Sequence, residues 1–205
     1  LTHIEGEIMG EYGSPAAEEG QLGAQGPGGM TANLYNQLTE VGQLEERAAW
    51  VADDAGRYGE AADHADRAAA AFVAAGDETG ELRCRNHQGW FVASYSYAEG
   101  AALLRDLEPR LAASSDPWIV ARGAFTAANL RLRAGEDAEA LPFYERALSI
   151  AEKHGFTDIL LPALSGKATL YTALGRNAEA GLLLAGVVGR AERDGDAVTV
   201  LSARS

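Results

Sequence analysis

Cysteine is almost absent from this sequence of 205 residues, which contains only Cys84. A single cysteine excludes an internal disulfide and a cysteine-based zinc site, and it fits a reducing compartment. The first residues, LTHIEGEIMG, contain no basic segment followed by an apolar one, so a secretory signal is not expected. No run approaches about 18 consecutive apolar residues, so no membrane span is expected either. Together these absences predict a cytoplasmic protein.

Basic residues are scarce as well. The chain has 17 Lys and Arg against 30 Asp and Glu, which gives a formal net charge of −13. Because so acidic a surface is repelled by phosphate backbones, direct contact with nucleic acid is not expected. Aromatic residues make up only 7%, and the hydrophobic 47% is mostly Ala and Leu, which favour helices over strands. The composition therefore predicts an all-α protein.

The sequence motifs of catalysis and metal binding are missing. There is no Gly-x-Ser-x-Gly elbow and no His-Glu-x-x-His motif. The four histidines lie far apart in the sequence, at His3, His64, His87 and His154. We therefore predict no catalytic residue, no cofactor and no metal ligand. An enzyme on a helical scaffold is the least favoured interpretation.

What the sequence does contain is a repeat with a period near 40 residues. Four segments align without gaps, and their first residues lie 39, 40 and 40 positions apart, at Gly56, Tyr95, Gly135 and Gly175. Four positions later each segment has a Glu followed by a tiny residue: Glu60–Ala61, Glu99–Gly100, Glu139–Ala140 and Glu179–Ala180. The Glu falls in the first turn of a helix, where the helix dipole favours negative charge.

The repeated positions describe helical packing. The tiny residue and the residues four and seven positions after it lie on one face of a helix. A glycine at the first position supplies a tight turn, so Tyr95 predicts a turn of different shape in the second unit. Seven residues before the first position, the close-packing point of the preceding helix is predicted at Ala49, Gln88, Ala128 and Ala168.

Each unit is therefore predicted as helix A, a tight turn and helix B. The A helices are expected near 43–55, 79–94, 117–133 and 158–174. The B helices are expected near 59–75, 98–112, 138–153 and 178–193. Asp116 followed by Pro117 is typical of a helix start, and Gly76, Gly155 and Gly195 stand where helices should end.

These units resemble the tetratricopeptide repeat, with LRAGEDAEALPFYERAL (132–148) as the best match. The resemblance covers roughly residues 40–195 and implies a right-handed superhelical α-solenoid of antiparallel helix pairs. The period exceeds the family's 34 residues, and most of its Trp and Pro positions are unfilled. The longer period is similar to arrays in bacterial transcription activators of the maltose-regulator type and in actinobacterial regulators. In those proteins the array is the sensor or partner-binding part.

The first 30 residues form a separate, Gly-rich segment that we interpret as a linker, with the repeat domain at 31–205. Leu34, Leu38, Val41, Leu44, Ala48 and Val51 then predict one long helix over about 31–55, whose first half caps the array. A degenerate preceding repeat, with residues 1–12 as its A helix, is the alternative. The absence of an initiator Met and the ending DAVTVLSARS indicate a piece of a larger protein.

The resemblance implies that the A helices line a concave groove, and the third unit is the most distinctive there. Its groove positions include Arg122, Phe125, Asn129 and Arg133, and Arg85 of the second unit would add a cation. Such a set could hold a carboxylate or an acidic peptide. The first unit offers Trp50 beside Asp53 and Asp54, which would suit a cationic partner.

We expect a binding module for a protein or peptide, part of a larger cytoplasmic regulator. A small-molecule sensor that changes the curvature of the array is the alternative. The oligomeric state is left open by the sequence.

Overall fold

The computed structural model describes residues 31–194. Within this range eight α-helices follow one another without a strand: α1 (Ala32–Asp54), α2 (Tyr58–Ala75), α3 (Glu78–Tyr95), α4 (Tyr97–Ala113), α5 (Pro117–Ala134), α6 (Asp137–His154), α7 (Thr157–Ala173) and α8 (Asn177–Asp194). The prediction of an all-α, solenoid-like fold is confirmed. The long helix predicted over 31–55 is α1. The proposed linker over 1–30, the degenerate repeat and residues 195–205 lie outside the described residues.

The helices form four successive A/B pairs, with α1, α3, α5 and α7 as the A helices. Each helix packs against the next along the chain, and the connections are short, so neighbouring helices are antiparallel. Each A helix also packs against the next A helix, whereas no two B helices pack to that extent in the described part. The A helices therefore line the inner side of the array. None of the described helices is long and apolar enough to cross a membrane.

The helix ends follow local sequence signals. Asp116 accepts a hydrogen bond from the Trp118 backbone amide at 2.8 Å, and Pro117 occupies the first helical position. Asp77 likewise accepts from the Gly80 amide at 2.9 Å at the start of α3. These caps fix where α5 and α3 begin.

The turn inside the second unit differs from the other three. Gly56, Gly135 and Gly175 have φ values of 72°, 75° and 73°, a left-handed conformation that favours glycine. The turn between α3 and α4 contains only Ser96, with a φ of −138°, and needs no glycine. The prediction from Tyr95 that this turn has a different shape is therefore confirmed, and the turn is shorter than those of the other units.

The shorter turn shifts the positions of α3 by one residue relative to the sequence alignment. The close-packing residue of α3 is Gly89, and the prediction of Gln88 was wrong. Gly89 is buried, and a Cβ there would lie 2.5 Å from Leu104 Cγ. Gln88 is half-buried, and its amide donates to Asp66 on α2 at 3.2 Å. The equivalent residues of the other units have exposures of 2%, 0% and 1%: Ala49, Ala128 and Ala168.

The tiny residues of the B helices lie in the core, as predicted. Ala61 and Ala140 are 0% exposed, Ala180 is 3% exposed and Gly100 is buried. In the third unit, Tyr144 fills the space one turn beyond Ala140 and is completely buried. Burial raises the pKa of the Tyr144 hydroxyl well above its usual value, so it stays protonated and acts as a hydrogen-bond donor.

Candidate functional site: the A-helix face

The inner surface of α1, α3, α5 and α7, here called the A-helix face, is the predicted location of the site. The groove residues predicted in the first and third units are all exposed or half-buried. Counted from Tyr95, the same groove positions of the second unit fall on Leu82, Arg85, Gly89, Val92 and Ala93. The shifted register buries all of these except Arg85, so the prediction was wrong for the other four. Moving one residue along α3 places Arg83 at the position equivalent to Arg122, and Trp90 at the position equivalent to Trp50.

Arg85 lies apart from the other predicted arginines. Its guanidinium donates through Nη1 to Asp66 on α2, and through the same atom to Gln88 Oε1 at 2.9 Å. Both contacts are on the side of α3 that packs against α2. The structure therefore does not bring Arg85 together with Arg122. Arg122 forms its ion pair with Asp158 on α7. Arg83, which the sequence reasoning missed, takes the place of Arg85 on the A-helix face.

Arg122 is held between its own helix and α7. Its Nη2 donates to Asp158 Oδ2 at 2.9 Å, and the Trp118 indole donates to the same oxygen at 3.0 Å. The guanidinium also stacks over the Trp118 ring, 5.0 Å from its centroid. Burial lowers the pKa of Arg122, and the neighbouring Asp158 opposes that shift. The positive charge of Arg122 is thus already balanced inside the protein.

Phe125, Asn129 and Arg133 continue along the same stripe of α5. Phe125 is half-buried, with its ring centroid 6.4 Å from that of Tyr144. Asn129 Oδ1 accepts a hydrogen bond from the Tyr144 hydroxyl at 2.7 Å, which leaves its amide group as a donor. Arg133 is exposed, and its guanidinium lies 4.7 Å from the Tyr97 ring centroid. Among residues 31–189, whose side chains the structure describes, Arg133 has no carboxylate partner, unlike Arg122.

A second polar cluster joins α1 to α3 on the A-helix face. Arg83 forms two parallel hydrogen bonds to Glu46, at 2.7 and 2.9 Å. His87 lies beside this pair, with its Nδ1 3.6 Å from Glu46 Oε1. The Trp50 ring makes T-shaped contacts with the rings of His87 and Phe91, at centroid distances of 4.8 and 5.3 Å. Only the length of the α3–α4 turn could have revealed this cluster from the sequence.

Burial keeps His87 neutral. Loss of solvent, together with the positive charges of Arg122 and Arg83, lowers the pKa of His87 to about 3. The unfolded chain binds a proton at His87 below about pH 6.5, whereas the folded protein binds it only near pH 3. This difference destabilises the fold progressively as the pH falls through that range.

We expect the His87→Gln variant to lose part of the pH dependence of stability. Between about pH 6 and pH 4, His87 should contribute a loss of about 1.4 kcal/mol in the free energy of unfolding per pH unit. Urea denaturation at several pH values, on wild type and variant, measures the two slopes. The variant's slope should be shallower, because the proton uptake of His87 on unfolding is removed while the other titratable groups are unchanged. Equal slopes would contradict a neutral His87.

Trp50 and its acidic neighbours form a patch of the A-helix face in the first unit. Trp50 is 40% exposed although its ring contacts those of His87 and Phe91. Asp53 and Asp54 follow one turn later and form no ion pair within the described residues. Partial burial and the charge of Asp54 raise the pKa of Asp53. A cation placed here would relieve that repulsion and stack on an aromatic ring.

Three cavities of the described part lie away from the A-helix face, and none of the three resembles an enclosed ligand site. A cavity between α4, α5 and α6 holds about 40 Å³, room for little more than one water molecule. Larger depressions of about 640 Å³, beside Lys153 and Lys167, and about 240 Å³, beside Arg110, are open to solvent. Small-molecule pockets usually bury most of the ligand surface, which open depressions do not.

Comparison with known proteins does not assign this chain to a family. No protein-family model matches the chain, and no curated protein matches it. The function is therefore inferred from the residues and geometry of the A-helix face, together with the resemblance of the repeats.

Proposed function

We propose that the protein is a tetratricopeptide-like binding module that holds an extended segment of a protein or peptide on its A-helix face. The face runs along four consecutive helices, so a ligand lying across it would contact several units at once. Its polar and aromatic side chains at Trp50, Asp53, Asp54, Asn129 and Arg133 are at least partly open to solvent. Because the repeats resemble the arrays of bacterial regulators, we propose that the chain is the partner-binding part of a larger cytoplasmic regulator.

The observation that carries the proposal is the exposed Trp50 beside the unpaired carboxylates of Asp53 and Asp54. An exposed Trp at the centre of a polar patch is the residue type most often found to dominate binding energy. Trp90, at the equivalent position of α3, is half-buried and extends the aromatic surface. The first two units therefore suit a segment with a Lys or Arg side chain.

The third unit supports recognition of an acidic group less strongly than its sequence suggests. Arg122 is neutralised by Asp158, and Arg85 by Asp66. Arg133 and the free amide of Asn129 are the groups still open to an acidic side chain or a peptide carbonyl. An acidic residue in the partner would therefore bind near Arg133, further along the face than the basic one.

Selection of random peptides against the protein tests this proposal, and it can be done before any natural partner is identified. We expect the recovered peptides to be enriched in Lys and Arg next to apolar residues. Trp50→Ala should weaken their affinity by about tenfold or more, because it removes the aromatic contact. Asp53→Asn with Asp54→Asn should weaken binding and reduce its dependence on salt. Titration calorimetry measures both effects.

Tyr58→Ala is the matched control, because Tyr58 is 38% exposed but begins a B helix. It should leave the affinity unchanged, and circular dichroism should show intact helices in all variants. Peptides rich in Asp and Glu that depend on Arg122 and Arg133 would place the site at the third unit. Peptides whose affinity survives changes at both ends of the face would overturn the proposal.

A further inference from the structure

The outer side of α1 carries an apolar stripe that the described part of the fold does not cover. Its members Leu34, Val41, Leu44 and Val51 are 46%, 48%, 52% and 64% exposed. They are spaced by seven, three and seven residues, which are the a and d positions of a coiled-coil heptad. Gln37 and half-buried Ala48 fill the remaining positions of the same seam.

This stripe is distinct from the two surfaces of α1 already in use. The packing side is centred on buried Gly42 and Ala49, about 80–100° from Val41 around the helix, and buried Ala52 lies at its border with the stripe. Trp50, on the A-helix face, is nine residues from Val41, which puts the two about 180° apart around the helix. Exposed contiguous apolar surface is unusual on a folded protein and indicates a partner.

The stripe is complementary to itself when two copies run antiparallel. With a two-fold axis between Val41 and Leu44, each Val41 meets Leu44 of the second copy and each Leu34 meets Val51. In the same register Glu40 of each copy lies opposite Arg47 of the other, which gives two such pairs related by the axis. Glu40 and Arg47 are exposed and form no ion pair with any of the side chains described over residues 31–189. The same antiparallel register therefore pairs both the apolar residues and the flanking charges.

We propose that α1 pairs with α1 of a second copy of this chain as an antiparallel two-helix seam. Residues 1–12 of the same chain would be the competing occupant. They contain Glu5, Glu7 and Glu11 and no Lys or Arg, so they offer no partner for Glu40. A second copy supplies Arg47 for Glu40 and Glu40 for Arg47. The pairing leaves the A-helix face of each copy open and is independent of the function proposed above.

Light scattering coupled to size exclusion, and sedimentation equilibrium, test the pairing on the full chain. We expect a dimer whose fraction rises with concentration over about 5–200 µM. Leu44→Glu should weaken dimerisation by more than about a hundredfold, because it places two buried carboxylates beside the axis. Val73→Glu is the control, since Val73 is 54% exposed on α2, outside the stripe. It should leave the dimer intact.

Charge exchange tests the register. Glu40→Arg alone sets Arg against Arg47 twice, which should weaken the dimer by about tenfold, and adding Arg47→Glu should restore it. A monomer at every concentration would overturn the proposal. So would a monomer that Leu44→Glu destabilises, since a segment of the same chain would then cover the stripe. A dimer that the double exchange fails to restore would overturn the antiparallel register.

Discussion

Gly100→Ala is expected to lower the free energy of unfolding by about 3 kcal/mol or more. A Cβ at Gly100 would lie 2.2 Å from the backbone nitrogen of Ala93 and 2.5 Å from its Cα. These atoms belong to the backbone of α3, so no side-chain rotation can make room. The two helices would have to separate, which would also open the contact between Gly89 and Leu104.

The short turn explains why this position is so intolerant. Ser96 alone connects α3 to α4, whereas the other units use two or three residues between their helices. The second unit accordingly has Gly at both close-packing positions, where the other units have Ala. Urea or thermal denaturation followed by circular dichroism measures the loss of stability.

Gly59→Ala is the matched control for Gly100→Ala. Gly59 also lies in the first turn of a B helix, but nothing lies within 4 Å of a Cβ placed there. The change should be neutral or stabilise the protein by about 0.5–1 kcal/mol, because Ala favours the helix. Equal stabilities of the two variants would mean that α3 and α4 are not in such close contact.

The fold could be predicted from the sequence because its signals are local and repeated. A Glu–tiny pair recurs at Ala61, Gly100, Ala140 and Ala180, and each copy supports the same helical register. The error of placing Gln88 where Gly89 packs came from a gapless alignment across a turn that is one residue short. Tyr95 signalled an altered turn, but a missing glycine reveals neither the length of a connection nor the shift that follows from it.

The site was harder to predict than the fold, because side-chain pairing is set by contacts distant in sequence. The arginines Arg85 and Arg122 had a groove-like spacing, yet their carboxylate partners lie 19 and 36 residues away. In a chain with 30 acidic residues, no local pattern indicates which acid will neutralise which arginine. Arg83 was missed for a different reason, since the shifted register moved it onto the A-helix face.

Ala140→Leu is expected to destabilise the third unit by about 2–3 kcal/mol. Ala140 is 0% exposed and belongs to the same buried cluster as Ala128 of α5 and Tyr144, both also 0% exposed. Three additional carbon atoms cannot enter this cluster unless α5 and α6 move apart or Tyr144 leaves its position. Displacing Tyr144 would also break its hydrogen bond to Asn129, so the loss should include a polar contribution.

Ala138→Leu separates the effect of packing from that of size. Ala138 is two residues earlier on the same helix and is exposed, so the same three carbon atoms would extend into solvent. Its stability should stay within about 0.5 kcal/mol of wild type. Thermal denaturation followed by circular dichroism compares the two variants, and near-ultraviolet spectra report whether Tyr144 has moved. If Ala140→Leu melts with Ala138→Leu, then the tiny residues of the B helices do not set the distance between helices, and the repeat register derived from them is wrong.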